Sequence, residues 1–301
     1  MTIYDAHMHI GGSANPNPEQ LVERLNACGI TGGNVMSIDP DDVNFTYKER
    51  MDNLFAWTKG FEDRIFPVAW LHPYETDILD KVKDCVERGV VAFKFIPNNY
   101  HVYDPKATEV FRLIEELGYP VMFHSGVLYD FMKSSQYNRP MDWENFVDYK
   151  NLRFSLAHCA HPWYDEAMLI CGKFRWINWH MNEIAQGNPD IYTNNPWVQS
   201  HLKDTEQGKT YDAPQLYLDT TPGAHGVYRK DLLQKCFSSQ KDGRNIFFGT
   251  DKYVEDYPVE VVKGWLKEER EALAEVNATD EFLENMYCNS MFRFLNIERR
   301  V

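Results

Sequence analysis

Positive charge is scarce in this sequence. Its 301 residues include 31 Lys and Arg against 45 Asp and Glu, which gives a formal net charge of -14 at pH 7. A surface that binds nucleic acid needs clustered Lys and Arg to neutralise phosphates, so this balance excludes nucleic acid as a partner. It does not exclude a small anionic substrate, because a cleft can be locally basic on an acidic protein.

Long hydrophobic runs are also absent. No apolar stretch approaches the roughly 20 residues that span a bilayer. No basic segment followed by an apolar one opens the chain, so we expect neither a membrane segment nor a secretory signal. The six cysteines are scattered and form no C-x-x-C pair, a pattern typical of reduced thiols rather than of disulfides or a thiolate zinc site. The sequence therefore predicts a cytoplasmic protein without membrane contact.

Linkers rich in Pro, Gly or Ser are lacking as well, so we expect residues 1–301 to form a single domain. The chain contains instead a repeated rhythm in which a short apolar run precedes an amphipathic stretch. Strands that are apolar throughout and alternate with helices indicate a parallel sheet covered on both faces. There are about eight such units, which predicts an α/β fold of the (β/α)8 TIM-barrel type. An open doubly wound sheet is the competing fold, but no G-x-G-x-x-G motif follows the first strand.

One region does not follow this rhythm. Residues 176–214, after the sixth predicted strand, are rich in Asn and Trp and lack clean periodicity. A long irregular segment in a compact domain is usually a lid, a binding loop or an interface. Because it follows a strand end, we expect an elaborated loop region at the catalytic mouth. It either covers the substrate, with Trp179 among the indole rings that stack on it, or forms the contact of a homodimer.

Two histidines end the first predicted strand. His7 and His9 are one residue apart, so the alternation of a strand directs both side chains to the same side. Four further polar residues lie in the fourth strand and at the ends of the fifth, sixth and eighth: Lys94, His124, His158 and Asp251. The carboxyl ends of barrel strands meet at one face, which brings all six residues to one mouth. Imidazoles and a carboxylate are ligands for a borderline divalent metal.

The motifs DAHMH, FKF, FHSG, LAHC and FGTD, in this order, resemble those of the amidohydrolase superfamily of metal-dependent barrel enzymes. The closing MYCNSMFRFLNI is similar to the last helix of its amidohydrolase-2 branch, which contains aminocarboxymuconate semialdehyde decarboxylase and dicarboxylate lactonases. The resemblance implies a divalent metal, above all zinc, and a metal-activated water that cleaves an amide, lactone or ester bond of a small molecule. Non-oxidative decarboxylation of a small cyclic or unsaturated carboxylic acid is the alternative that the same branch implies.

The resemblance also assigns roles to the residues at the mouth. His7, His9 and His124 match metal ligands of the family. Asp251 matches the carboxylate that binds metal and takes the proton from the attacking water. His158 matches a histidine that is a second-metal ligand in two-metal members, and a base, an acid or a substrate polariser in one-metal members.

Lys94 leaves the number of metal ions open. Within GVVAFKF it resembles the lysine that two-metal relatives carry as a carbamate, whose two oxygens bridge the ions. The alternative is an unmodified lysine that binds a substrate carboxylate or phosphate, or that pairs with Asp251. One ion is expected in that case, and two if the lysine is carbamylated.

Three further residues are candidates for binding the substrate. His161 stands at the start of a loop or helix at the mouth, and Arg139, in the segment after the fifth strand, could meet a substrate carboxylate. Trp179 is the third, as a stacking ring in the irregular segment. His225 and Asp219 follow the seventh predicted strand, where we expect Asp219 to be a structural hydrogen-bonding residue rather than a catalyst.

Overall fold

The computed structural model describes residues 1–12, 15–221 and 228–299, so His225 lies outside the described residues. The strands are β1 (Tyr4–His9), β2 (Gly32–Met36), β3 (Ile65–Trp70), β4 (Ala92–Phe95), β5 (Val121–Phe123), β6 (Arg153–Leu156), β7 (Leu202–Thr205), β8 (Gly208–Tyr211), β9 (Gln215–Asp219), β10 (Ile246–Phe247) and β11 (Lys252–Tyr253). β7 and β8 form an antiparallel hairpin that stands apart from the main sheet.

Helices follow most strands of the main sheet. They are α1 (Pro18–Cys28), α2 (Tyr47–Thr58), α3 (Ile78–Arg88), α4 (Pro105–Glu116), α5 (Tyr164–Ala185), α6 (Pro196–His201), α7 (Arg229–Ser239), α8 (Val259–Glu275), α9 (Asp280–Glu284) and α10 (Ser290–Leu295). Two 3₁₀ segments, Ser134–Tyr137 and Pro140–Asp148, lie between β5 and β6, and a π-helical turn, Asn285–Asn289, precedes α10.

The main sheet is parallel and curls back on itself. Its nine strands are ordered β10-β9-β6-β5-β4-β3-β2-β1-β11. The two ends of this order are neighbours in the chain, since only residues 248–251 separate β10 from β11. The N–H of Ala6 donates to the carbonyl of Phe248 at 2.9 Å, and the N–H of Asp251 donates to the carbonyl of His7 at 2.8 Å. The eighth strand of the rhythm is therefore split by a bend, and the chain has a TIM-barrel-like α/β fold.

Local sequence signals account for the helix ends. Asn17 caps α1 by accepting the N–H of Gln20, and Pro18 occupies the first helical position, where no N–H is needed. α2 begins with a reciprocal capping box between Thr46 and Glu49. The strands between these helices are almost wholly buried, as expected for a sheet covered on both faces.

Aromatic side chains close the amino-terminal end of the sheet. The ring of Tyr4, which begins β1, packs edge-on against Phe292 of α10 at 4.8 Å between centroids. Phe294 of the same helix contacts the rings of Tyr217 and Phe247 at 5.3 Å. The carboxyl ends of the strands are consequently the end of the sheet that can receive a ligand.

The prediction of an irregular loop over residues 176–214 is wrong for its first ten residues. α5 continues without interruption to Ala185, and Ile177, Met181 and Ile184 are buried on one of its faces. Their spacing of three and four residues is the period of a helix. The interleaved Trp and Asn side chains concealed that period in the sequence.

The remainder of the segment lies at the amino-terminal end of the sheet rather than at the mouth. Because α5 runs antiparallel to the strands, it returns the chain to the end at which β6 begins. There Lys150 donates to the carbonyl of Ser200 at 2.7 Å, and the indole of Trp197 donates to the carbonyl of Val147 at 3.2 Å. This placement gives no support to a lid over the catalytic mouth. A dimer contact through the segment stays a prediction.

All six cysteines are buried, and none of them is joined to another in a disulfide. None of the helices in the described ranges is both long enough and apolar enough to cross a bilayer.

Candidate active site

The histidines of β1 converge at its carboxyl end. His7 is fully buried and His9 is partly exposed, and their Nε2 atoms lie 3.0 Å apart. Burial and the charge of Lys94 lower the pKa of His7, so this ring is neutral at pH 7. The alternation of the strand thus places two imidazoles side by side, as predicted from their spacing.

Asp251 joins the two rings from the bend between β10 and β11. Its Oδ1 lies 3.4 Å from Nε2 of His7 and 3.2 Å from Nε2 of His9. Burial alone raises the pKa of Asp251, but the hydrogen bond to His9 and the charges of nearby imidazoles outweigh it and hold the pKa well below its usual range. The residue has a φ of 57°, a conformation uncommon outside glycine, which turns its side chain into the mouth.

Asp5 fixes the segment that carries Asp251, a role that the sequence did not reveal. This carboxylate is fully buried and accepts the N–H and the hydroxyl of Thr250, the residue before Asp251. It also accepts the hydroxyl of Tyr257 at 2.8 Å. Burial raises the pKa of Asp5 to about 7. The first residue of the DAHMH motif therefore ties the eighth strand to the first.

A divalent metal fits this donor set. One ligand atom from each of His7, His9 and Asp251 lies within 4.8 Å of the other two. Two imidazole nitrogens and a carboxylate oxygen are ligands typical of Zn²⁺ and related ions. His124 lines the same cavity, and its buried Nε2 has no hydrogen-bond partner among the described residues. A buried nitrogen of this kind is costly unless a ligand satisfies it.

Asp219 orients the ring of His7 from behind. Its Oδ2 lies 2.5 Å from Nδ1 of His7, and its Oδ1 accepts the N–H of Thr221 at 2.8 Å. A carboxylate on Nδ1 keeps the proton there and leaves the lone pair of Nε2 free for a metal. Asp219 is thus a structural hydrogen-bonding residue, as expected, and it acts on the candidate metal ligand itself.

His158 and His124 extend the cluster of imidazoles. Ring centroids are 5.6 Å apart between His7 and His158, and 4.9 Å apart between His158 and His124. Burial lowers the pKa of His158 to about 4 and the pKa of His124 well below its usual value. Nδ1 of His158 lies 2.9 Å from Oγ1 of Thr221, a partner that the sequence did not single out.

Lys94 is buried at the floor of the same cavity. Burial lowers the pKa of Lys94 to about 8, although Asp219 and Asp251 act in the opposite direction. No carboxylate oxygen in the described part of the chain lies within 4.0 Å of its Nζ, so the predicted ion pair with Asp251 is not formed.

The cavity at the carboxyl ends of the strands has a volume of about 560 Å³, a size suited to a small ligand. Its floor is formed by His7, His9, Lys94, His124, His158 and Asp251. The structure therefore brings together all six residues that were predicted to share one mouth. The loops after β2, β3, β4 and β5 form its walls.

The three predicted substrate-binding residues differ in position. His161 lines the cavity, and its Nδ1 is hydrogen-bonded to the hydroxyl of Tyr164. Arg139 does not line it, because its guanidinium binds Glu166 at 2.7 Å and lies over the ring of Trp163. Trp179 is also outside it, on the exposed side of α5. Contact of Arg139 and Trp179 with a substrate stays a prediction, which this cavity does not support.

Several wall residues were not predicted from the sequence. Asp39 and Asp41 follow β2, Trp70 ends β3, and Tyr253 belongs to β11. Each lies at or just after the carboxyl end of a strand. A position at the carboxyl end of a strand is therefore the sequence signal that indicates these residues. The sequence prediction uses it only for histidines, one lysine and one aspartate.

The sequence matches one family model over nearly its full length. The amidohydrolase-2 model, described as Amidohydrolase, matches residues 4–289. No curated protein sequence matches the chain.

Solved structures share the fold over the whole chain. A proposed 2-pyrone-4,6-dicarboxylic acid hydrolase from Pseudomonas putida is 12% identical with a TM-score of 0.61, over 98% of this chain and 97% of that chain. An amidohydrolase from Burkholderia multivorans with bound zinc is 12% identical with a TM-score of 0.57, over 99% and 100%. A dihydroorotase from Campylobacter jejuni is 12% identical with a TM-score of 0.52, over 99% and 84%. At identities this low the likeness concerns the fold.

Proposed function

The chain belongs to the amidohydrolase family, and we propose that it is a metal-dependent hydrolase that cleaves an amide, lactone or ester bond of a small molecule. The observation that carries the proposal is the convergence of His7 Nε2, His9 Nε2 and Asp251 Oδ1 at the floor of a cavity of about 560 Å³. A site built on strand ends is held rigidly by the sheet, as hydrolysis at a fixed point requires.

Zinc is the ion we propose for this site. His7, His9, Asp251 and His124 would hold it, since Nε2 of His124 has no hydrogen-bond partner in the described part of the chain. This nitrogen-rich donor set suits zinc. A bound zinc in the amidohydrolase from Burkholderia multivorans supports the same choice. When bound, such an ion lowers the pKa of a water molecule and polarises the carbonyl of the substrate.

Asp251 is the residue we assign to proton transfer. Its low pKa keeps it ionised at neutral pH, and its side chain is one third exposed towards the cavity. With an ion held by these residues, the ionised carboxylate of Asp251 would accept the proton of the attacking water. The same residue returns that proton to the leaving group.

His158 is the hydrogen-bond donor to the substrate in this proposal. Thr221 Oγ1 accepts the backbone N–H of His158 at 3.2 Å, so its single hydrogen remains to be donated. We propose that it is donated to Nδ1 of His158, which lies 2.9 Å from that hydroxyl. Nδ1 then carries a lone pair and Nε2 carries the proton. A ring with this tautomer donates to a carbonyl or leaving group and does not bind a second metal.

We therefore propose one ion per chain and an unmodified Lys94. A second ion would need a carbamate on Lys94 and a lone pair on Nε2 of His158, and the contact with Thr221 opposes the latter. The intact mass of the protein shows whether Lys94 is carbamylated, because a carbamate adds the mass of one molecule of carbon dioxide.

The function is tested on a panel containing an ester, a lactone and an amide, with the zinc-loaded protein. Ring opening or bond cleavage and release of carbon dioxide are measured on the same samples. We expect cleavage, and we expect Asp251→Asn to lower kcat by about 10²- to 10⁴-fold, the range for loss of a general base. Asp52→Asn, which alters a surface carboxylate paired with Lys48 and Arg88 on α2 and α3, is the matched control.

Two results would contradict the proposal. Release of carbon dioxide without hydrolysis would make the protein a decarboxylase. Equal activity of Asp251→Asn and Asp52→Asn would remove Asp251 from the reaction.

A further inference from the structure

The wall above the candidate metal site carries negative charge. Asp39 and Asp41 follow β2 and line the cavity near Trp70 and Tyr253. Asp39 Oδ1 accepts the N–H of Asp41 at 2.9 Å, and Asp41 Oδ2 accepts the side-chain amide of Asn98 at 2.9 Å. In the part of the chain that the structure describes, neither carboxylate lies within 4.0 Å of a Lys, Arg or His nitrogen.

The nearest arginines are engaged elsewhere. Arg50 donates to Glu75 at 2.7 Å and to the carbonyl of Trp70 at 3.1 Å. Arg139 is paired with Glu166. Among the described residues that line the cavity, Lys94 is the one Lys or Arg, and it lies at the floor with the histidines. The wall therefore offers the carboxylates of Asp39, Asp41 and Asp130 to the outer part of a bound molecule, and no Lys or Arg among the described residues.

A second observation supports a ligand in this cavity. His124 lines it and is only 7% exposed, and its Nε2 has no hydrogen-bond partner among the described residues. Aromatic rings line the same cavity as the carboxylates. The centroids of Trp70 and Tyr253 lie 5.4 Å and 6.4 Å from that of His9. Carboxylates combined with aromatic rings attract an organic cation and repel an anion.

We propose that the substrate carries a cationic group, an ammonium or an amidinium, remote from the bond that is cleaved. Asp39 and Asp41 hold this group beside Trp70 and Tyr253. Burial raises the pKa of Asp39, a cost that a cationic ligand offsets. The inference rests on the proposed function and narrows its substrates, since a dicarboxylate, such as that in the name of the Pseudomonas putida protein, would be repelled by this wall.

Three phenyl acetates that differ only in the para substituent test the inference. An aminomethyl, a hydroxymethyl and a carboxyl group give one cation, one neutral molecule and one anion around the same ester. The variants are Asp39→Asn and Asp41→Asn, each nearly isosteric. Asp42→Asn is the matched control, because Asp42 lies in the same loop, caps the N–H of Asn44 and does not line the cavity.

We expect kcat/KM to be highest for the cationic ester and lowest for the anionic one. Asp39→Asn should lower kcat/KM for the cationic ester by about tenfold, through KM, and change it for the neutral ester by less than about twofold. Asp42→Asn should change neither. A parent enzyme that prefers the anionic ester, or an equal loss for all three esters in Asp39→Asn, would overturn the inference and leave the hydrolase in place.

If no ester is cleaved, a binding measurement still tests the cationic subsite independently of the proposed hydrolase activity. The corresponding para-substituted phenols cannot be hydrolysed, and their affinity for the zinc-loaded protein is measured by calorimetry. Preference for the aminomethyl phenol that is lost in Asp39→Asn and kept in Asp42→Asn supports the cationic subsite even without turnover. Tighter binding of the carboxyl phenol, unchanged in Asp39→Asn, refutes it.

Discussion

Replacing Asp219 with Asn removes the carboxylate behind His7 without changing the size of the side chain. Asp219 accepts from two donors, Nδ1 of His7 at 2.5 Å and the N–H of Thr221 at 2.8 Å. An Asn amide has one oxygen, and the backbone N–H of Thr221 cannot become an acceptor. The NH₂ group therefore faces Nδ1 of His7, which must accept, and the ring proton moves to Nε2. The lone pair that would bind metal is lost.

The size of the effect follows from the burial of this pair. Loss of the partner behind a metal-binding histidine costs about 10- to 100-fold in metal affinity, which is about 1.4 to 2.8 kcal/mol. Asp219 and His7 are both fully buried, so water cannot replace the missing acceptor. We expect the loss in Asp219→Asn to lie near the upper end of this range.

The assay is a competition titration of zinc between the protein and a chromogenic chelator. Asp242→Asn is the control, since Asp242 pairs with Arg175 at 2.9 Å before β10 begins, away from the histidines. A zinc affinity in Asp219→Asn within about threefold of the parent, with an unchanged melting temperature, would refute the role given to Asp219.

Three further substitutions test other parts of the account. Gly126→Ala, at a φ of +94°, would place a Cβ 2.3 Å from a backbone oxygen. We expect this variant to lower the free energy of unfolding, measured in urea, by about 1–3 kcal/mol or more. The loss should exceed that of Gly60→Ala, whose Cβ would meet open space. Glu269→Ala leaves the buried guanidinium of Arg229 without its carboxylate partner and should lower the free energy of unfolding by about 3–5 kcal/mol in the same assay. A loss below about 1 kcal/mol would contradict this expectation. Trp179→Ala should leave kcat and KM unchanged, and a raised KM would restore the lid hypothesis.

The positions of His7, His9 and Asp251 could be predicted because they depend on strand order alone. Once the alternation of strands and helices indicates a barrel, the first and eighth strands must be neighbours. Residues at their carboxyl ends then meet whatever their separation in the sequence. The hydrogen bond from the N–H of Asp251 to the carbonyl of His7 shows that these two strands are neighbours.

The wall residues could not be predicted with the same ease, because they depend on choices among tertiary partners. The guanidinium of Arg139 is chemically suited to a substrate carboxylate and to the carboxylate of Glu166 alike. The position of α5, which carries Glu166, determines that it pairs with Glu166. The sequence places Trp179 in a loop at the mouth because the period of its helix is concealed. A helix carries the chain to the opposite end of the sheet, so the segment that follows it lies there and not at the mouth. Asp39 and Asp41 lie in a loop, whose course the strand pattern does not determine.

The metal content of His7→Ala/His9→Ala tests the central claim most directly. Parent and double variant are loaded with zinc, dialysed under the same conditions and compared by elemental analysis, after circular dichroism has shown that both are folded. We predict one zinc ion per chain in the parent, because one set of imidazoles and Asp251 converges in the cavity, and none in the variant. Full zinc occupancy in the folded double variant would contradict the account.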